Sequence, residues 1–268
     1  MAGQPEGMPV WVDAMFTDLG GAKGFYGEVL GWTFDEEVAE YGDRTRAYAG
    51  GRAVAAVVPP LPSRDEEAPW STWCLYFASS DVEATARRVR ENGGRVVTGP
   101  AVVGEPGPAL LARDPDGVAF GVWQPEDHRG FEARSVPGAY RWAEVVTRDV
   151  AKADAFFPAV FPFAVRRPAD GRADLAVFRL GDEPVLGRRR MGEGFPPDMP
   201  PFMSVYFAVD GVDAAVGRAT THGAKVVSGP ADGPSGRSAT LLDPWDAAFS
   251  LIDAARTEDE PPGTAAGP

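Results

Sequence analysis

The feature that most constrains this chain is that it contains the same pattern twice. The segment WVDAMFTDLGGAKGFYGEVLGWTF, from Trp11 to Phe34, aligns with WAEVVTRDVAKADAFFPAVFPFAV, from Trp142 to Val165, at an offset of 131. CLYFASSDVEATARRVRENGGRVVTGP, from Cys74, aligns with SVYFAVDGVDAAVGRATTHGAKVVSGP, from Ser204, at an offset of 130. The stretch ending LLARDPDGVAFGVW at Trp123 aligns with TLLDPWDAAFSLI, ending at Ile252, at 129. A register that drifts by only two residues over a hundred positions marks a tandem duplication. The pattern predicts two homologous domains, 9–126 and 139–253. A linker rich in Pro, Gly and charge at 127–138 joins them, and a tail follows at 254–268.

Each copy repeats a smaller unit. Val10, Val12, Ala14 and Phe16 alternate with Trp11, Asp13 and Met15, as in a strand with two distinct faces. Asp18 is placed to cap a helix in which Ala22, Phe25, Tyr26 and Val29 recur at helical spacing, and Gly31 is placed to end it. Strands follow at Trp32–Val38, Thr45–Ala49 and Ala53–Val58. The second unit repeats the order: strand Thr72–Ala78, a helix from Val82 to Asn92 closed by Gly93-Gly94, then strands at Arg95–Val97, Ala109–Arg113 and Val118–Trp123. The expected fold class is α+β, with four βαβββ units in two domains.

Composition narrows the partners. Asp and Glu outnumber Lys and Arg by 39 to 26, and a net charge of -13 repels nucleic acid and anionic lipid surfaces. No apolar run reaches the roughly 18 residues of a membrane span, and MAGQPEGMPV lacks the features of a secretion signal. The expectation is a cytoplasmic protein that binds neither nucleic acid nor membrane. Cys74 is the single cysteine and has no disulfide partner in the chain. The polar, Pro-rich tail from Ala254 reads as disordered.

The order βαβββ–βαβββ resembles the vicinal oxygen chelate superfamily, which includes glyoxalases, bleomycin-resistance proteins and extradiol dioxygenases. The resemblance is carried by Asp18 followed by Phe25-Tyr26 and Leu30-Gly31-Trp32, by Tyr76-Phe77 before Asp81-Val82, and by Gly93-Gly94 and Gly99-Pro100 before Asp114-Pro115-Asp116-Gly117. It implies that each pair of units curls its sheet into a half-barrel around a cavity, with helices outside. Metal-dependent members hold the ion with His, Gln or Glu on cavity-facing strand positions. Carried over, those positions fall on Trp11, Cys74 and Gly121, with a fourth near Ala55; in the second copy they fall on Trp142, Ser204 and Ser250, with a fourth near Val185. Neither copy keeps a good ligand set. The two histidines, His128 in the linker and His222 at a helix end, lie off the strands. No metal and no other cofactor is therefore expected.

Strand alternation selects the remaining cavity residues: Trp11, Asp13, Cys74, Tyr76 and Trp123 in the first copy, and Trp142, Glu144, Ser204, Tyr206 and Ser250 in the second. Both copies offer a Trp, a carboxylate and a Tyr, a set suited to a planar organic ligand. The same aromatics also suit plain core filling, and Asp13 or Glu144 suits pairing with Arg52 or Arg141. Cys74 has no histidine near it in the pattern and reads as a structural thiol. Arg188, Arg189 and Arg190 read as a solvated loop, or as a lid over the second pocket that grips an anion.

Three function classes follow. The leading one is a small-molecule binder for an aromatic metabolite or an antibiotic-like compound. The second is a lyase, hydroxylase or oxidoreductase-type enzyme with Asp13 or Glu144 as base and Tyr76 or Tyr206 as donor. The third is an interaction protein with vestigial pockets. Because the first copy has Trp11, Trp32, Trp73 and Trp123 where the second has Trp142, Phe163, Met203 and Ile252, the first domain is the expected principal site. A monomer or weak homodimer is expected, since a tandem chain can pair its own halves.

Overall fold

The computed structural model describes residues 4–35, 45–60, 71–102, 107–126, 130–167, 174–233 and 236–254. The elements of the first half are β1 (Pro9–Met15), α1 (Leu19–Leu30), β2 (Thr33–Phe34), β3 (Thr45–Ala49), β4 (Arg52–Val58), β5 (Trp73–Ala78), α2 (Val82–Glu91), β6 (Arg95–Val102), β7 (Pro108–Arg113) and β8 (Ala119–Trp123). The second half follows the same order with β9 (Tyr140–Thr147), α3 (Val150–Val160), β10 (Ala164–Arg166), β11 (Leu175–Leu180), β12 (Glu183–Arg190), β13 (Phe202–Val209), α4 (Val212–Thr221), β14 (Lys225–Gly233), β15 (Gly236–Leu242) and β16 (Ala248–Asp253). Asp18 accepts a hydrogen bond from the Gly21 N–H at 2.9 Å, and Gly31 closes α1 in the left-handed conformation at φ 71°. Both ends of the first helix therefore lie where the sequence puts them. The tail from 255 and His128 lie outside the described residues.

Each half forms one eight-stranded mixed sheet, in the orders β2-β3-β4-β1-β5-β8-β7-β6 and β10-β11-β12-β9-β13-β16-β15-β14. The two units of a half are joined by antiparallel pairing of their first strands, β1 with β5 and β9 with β13. The β1 alternation holds: Phe16 packs on Tyr26 of α1 at 5.8 Å, so Val10, Val12 and Ala14 face the helices, and Trp11 and Asp13 face away from them into the half-barrel.

The two halves pack back to back. Helix α1 lies against α4 and α2 against α3, and β5 touches β13 where the Trp73 and Phe207 rings meet at 4.9 Å. Charge and polarity are satisfied across this seam. The Tyr26 hydroxyl accepts from Trp73 Nε1 at 2.8 Å and donates to Asp243 of the other half at 2.7 Å. Trp32 Nε1 donates to the Gly138 carbonyl, and Arg88 Nε donates to the Val160 carbonyl. Trp32 and Trp73 are therefore seam residues. Their assignment to the first pocket is corrected by strand parity, since Trp73 pairs with Ala14 on the helix-facing side.

The connecting segment is built into the fold. Phe131 N–H donates to the Val10 carbonyl, Glu132 N–H to the Ala53 carbonyl, and the Glu132 carboxylate accepts from Ala53 N–H at 2.7 Å. This ties the segment to the starts of β1 and β4. Among the described residues no helix is long and apolar enough to cross a membrane.

Candidate ligand sites in the two half-barrels

Residues paired across neighbouring strands share a face, so the register defines the inner wall of each half-barrel. In the first half Asp13 stands opposite Ala56 on one side and Cys74 on the other. Trp11 stands opposite Tyr76, Tyr76 opposite Gly121, and Ala78 opposite Trp123. In the second half Glu144 stands between Gly187 and Ser204, Trp142 opposite Tyr206, and Tyr206 opposite Ser250. All ten expected cavity residues thus face inward. On the neighbouring parallel strands the residues opposite Asp13 and Glu144 are Ala56 and Gly187, one and two residues from the expected Ala55 and Val185.

The first inner wall is filled by its own side chains. Tyr76 donates to Asp13 Oδ2 at 2.9 Å, and both are buried. The Tyr76 ring lies flat over Gly121, where an added Cβ would fall 2.2 Å from the ring. Phe131 of the connecting segment lies 5.8 Å from the Trp11 ring and stacks on Tyr140 at 4.8 Å, with Arg134 over both Phe131 and Tyr140. Trp11, Cys74, Tyr76 and Trp123 belong to the continuous hydrophobic core. The linker sequence gave no sign that Phe131 reaches this wall, because the contact depends on how the segment crosses β1 and β4.

The second inner wall is different. Its apolar residues form two patches separate from the main core: Trp142, Val177, Tyr206 and Ile252, and Val146, Met191, Phe202 and Ala248 flanked by Phe195 and Met199. A polar band runs between them. Tyr206 donates to Glu144 Oε2 at 2.7 Å, and Arg189 Nε lies 3.1 Å from the same oxygen. Ser250 bonds Ser204 and Thr240, each at 2.8 Å. Burial pushes the Tyr206 phenol well above its ordinary range, reinforced by the adjacent Glu144 charge, so it remains a hydrogen-bond donor. Burial alone lowers Arg189, but Tyr206 and Glu144 outweigh it and hold the guanidinium above its usual value.

The arginine run is corrected. It lies in β12, not in a loop, and alternation sends its members to different partners. Arg188 points to the helix side and forms a two-pronged bond with Asp154 at 2.8 and 2.9 Å. Arg189 faces inward onto Glu144, under the Phe195 ring at 5.7 Å, and Arg190 pairs with Asp174 at 2.6 Å. Three adjacent charges read as solvated loop because their separate carboxylate partners are distant in sequence. Glu144 is thus paired with Arg189, not with Arg141.

Two buried donors in the second wall lack a hydrogen bond among the described residues, Arg189 Nε, which lies 3.1 Å from the Glu144 carboxylate, and Trp142 Nε1. Trp142 is 6% exposed, and its Nε1 has no hydrogen-bond partner among the described residues. It lies close against Gly187, where an added Cβ would fall 2.7 Å from Glu144 Cγ and 3.0 Å from Nε1, so both side chains already crowd that position. Orphaned buried N–H groups are rare enough to require an explanation.

The positions that the resemblance assigns to metal ligands carry Trp11, Cys74 and Gly121 in the first half and Trp142, Ser204 and Ser250 in the second, and the inward β4 and β12 positions opposite Asp13 and Glu144 carry Ala56 and Gly187. Tyr76 covers Gly121, Ser204 and Ser250 bond each other, and no group of three or more His, Cys, Asp or Glu side chains is gathered among the described residues.

The tandem half-barrels with inward Trp, acid and Tyr define a duplicated vicinal oxygen chelate protein. The chain belongs to the Glyoxalase/Bleomycin resistance protein/Dioxygenase superfamily, whose family model matches residues 10–122 and 140–251. It is 36% identical over 265 residues to the anthracycline biosynthesis protein DnrV of Streptomyces peucetius, covering 92% of this chain and 93% of that protein. Among solved structures, the Mn(II)-bound glyoxalase from Novosphingobium aromaticivorans matches with a TM-score of 0.61 at 19% identity, covering 94% of this chain and 83% of that one. A variant of homoprotocatechuate 2,3-dioxygenase from Brevibacterium fuscum matches with a TM-score of 0.64 at 16% identity, covering 97% and 75%. At these identities the two structures show the shared fold.

Proposed function

We propose that this protein binds a planar aromatic metabolite inside a half-barrel, through aromatic walls and a carboxylate–tyrosine pair, without a divalent metal. The observation that carries this reading is that no group of three or more His, Cys, Asp or Glu side chains is gathered among the described residues. Indole, alanine, glycine, thiol and serine stand where the fold family places imidazoles and carboxylates, while each wall keeps a buried acid bonded to a tyrosine. Such an acid–tyrosine pair is costly to bury and contributes a placed polar group to an otherwise apolar wall. The name of the 36% identical relative refers to anthracyclines, a class of planar polycyclic aromatic compounds, which agrees with aromatic walls. Thermal-shift screening against planar aromatic metabolites tests the function. A ligand present at 100 times its Kd stabilises the protein by about 2.7 kcal/mol and gives a clear rise in Tm. No response across a broad aromatic library contradicts the binding function.

A further inference from the structure

We infer that the second half-barrel, not the first, is the working site, and that its ligand carries a ring oxygen that accepts a hydrogen bond from Trp142 Nε1. The inference rests on the binding function above and specifies its location and chemistry.

Three observations converge. The first inner wall is continuous with the core, its Tyr76 ring lies on Gly121, and Phe131 covers the Trp11 ring. The second wall keeps two apolar patches apart at the two ends of a polar band, so a flat molecule lying along it meets apolar side chains at both ends and polar groups in the middle. Within that band the groups already paired are Glu144, Tyr206, Arg189, Ser204, Ser250 and Thr240. Trp142 Nε1 is a buried donor with neither a hydrogen bond nor an ion pair among the described residues, whereas Arg189 Nε, which also lacks a hydrogen bond, lies 3.1 Å from Glu144.

The chemistry of that donor selects the ligand. An indole N–H donates and cannot accept, so it requires an acceptor atom. The Glu144–Arg189 pair compensates its own charge, so the acceptor need not carry a full negative charge. A carbonyl or phenolic oxygen on an aromatic ring meets the requirement, and the indole face and the Val177, Ile252, Phe195 and Phe202 side chains supply apolar contact. Expectation from the count of indoles favoured the first domain, but two of its four indoles are in the seam.

The test uses the full chain and two water-soluble probes of equal width and charge. Anthraquinone-2-sulfonate carries two ring carbonyls, and anthracene-2-sulfonate carries none. Binding is followed by calorimetry, with stoichiometry and Kd as readouts. The expected result is one molecule per chain, with the anthraquinone bound about three- to ten-fold more tightly, the worth of one hydrogen bond to an otherwise unsatisfied donor. Trp142→Phe, which keeps an aromatic ring and removes the N–H, brings the anthraquinone Kd to that of anthracene and leaves the latter in place. Should Trp142→Phe lower Tm sharply, Gly187→Ala on the facing strand supplies the second variant. Its methyl group presses on Glu144 Cγ and Trp142 Nε1, displaces the indole N–H and weakens the anthraquinone selectively.

Equal affinity of the two probes in the parent protein, or unchanged selectivity in Trp142→Phe, overturns the inference. Loss of binding on Trp11→Phe with Trp142→Phe unaffected moves the site to the first half-barrel and also overturns it, while the metal-free binding function stands. Failure of both probes in the parent overturns the ligand assignment, and the broader aromatic screen then decides the function separately.

Discussion

Replacing Tyr26 with Phe cuts the hydrogen-bonded chain that crosses the seam between the two halves. The ring stays, so its stack on Trp32 at 5.5 Å and its edge contact with Trp73 at 5.3 Å are preserved. Two buried polar groups lose their partner: Trp73 Nε1 loses its acceptor and Asp243 Oδ2 its donor. Leaving a buried polar group unsatisfied costs about 1–3 kcal/mol, so the pair predicts a loss of roughly 2–5 kcal/mol in urea unfolding at pH 8. The loss has a pH dependence of known sign. Burial lifts Asp243 to about 6, and the Tyr26 hydroxyl pulls it down. Without that hydroxyl the carboxyl is pushed higher still, and its protonated form is favoured by the fold. The variant therefore recovers part of the deficit at pH 5. A loss below about 1 kcal/mol at pH 8, or a deficit that grows on acidification, refutes the reasoning that this chain is a buried, fully used link.

Other outcomes follow from the same geometry. Asp114 and Asp243 both have folded pKa values raised to about 6, chiefly by burial, so the stability each contributes is full below the unfolded value and lost as pH rises through 6. Denaturant midpoints should be higher at pH 5 than at pH 8, and Asp243→Asn should reduce that difference. Arg189→Met leaves the Glu144 carboxylate buried without its cation and should cost about 3 kcal/mol in chemical unfolding. Gly121→Ala drives a methyl group into the Tyr76 ring and should lower stability by about 1–3 kcal/mol, with the Asp13–Tyr76 bond displaced. Light scattering should give a monomer or weak dimer, since each sheet already covers its back with the other half of the chain.

Much of the fold was legible because it repeats. The offset between copies, the Asp18 cap and the Gly31 stop each have a local cause, and the structure keeps them. The ten inward residues were legible from alternation alone, a period-2 property that survives without knowledge of partners. What alternation does not reveal is which wall is covered. Phe131 reaches Trp11 through hydrogen bonds to Val10 and Ala53, and Arg189 finds Glu144 from a parallel neighbouring strand; both depend on pairing between segments distant in sequence. The seam indoles Trp32 and Trp73 were misplaced for a related reason. An aromatic residue suits a pocket wall and a domain interface equally well until the opposite sheet is known.

Metal-free binding is decided by measuring affinity before and after any metal is removed. Protein stripped with a chelator and verified by elemental analysis is titrated with the best aromatic ligand from the screen. Portions re-supplied with Mn(II), Fe(II) or Zn(II) are titrated alongside. Metal-free binding gives the same Kd and stoichiometry in every sample, and less than a stoichiometric amount of transition metal in freshly purified protein. A bound metal at one per domain or one per chain, with binding lost on stripping and restored by that ion, contradicts it.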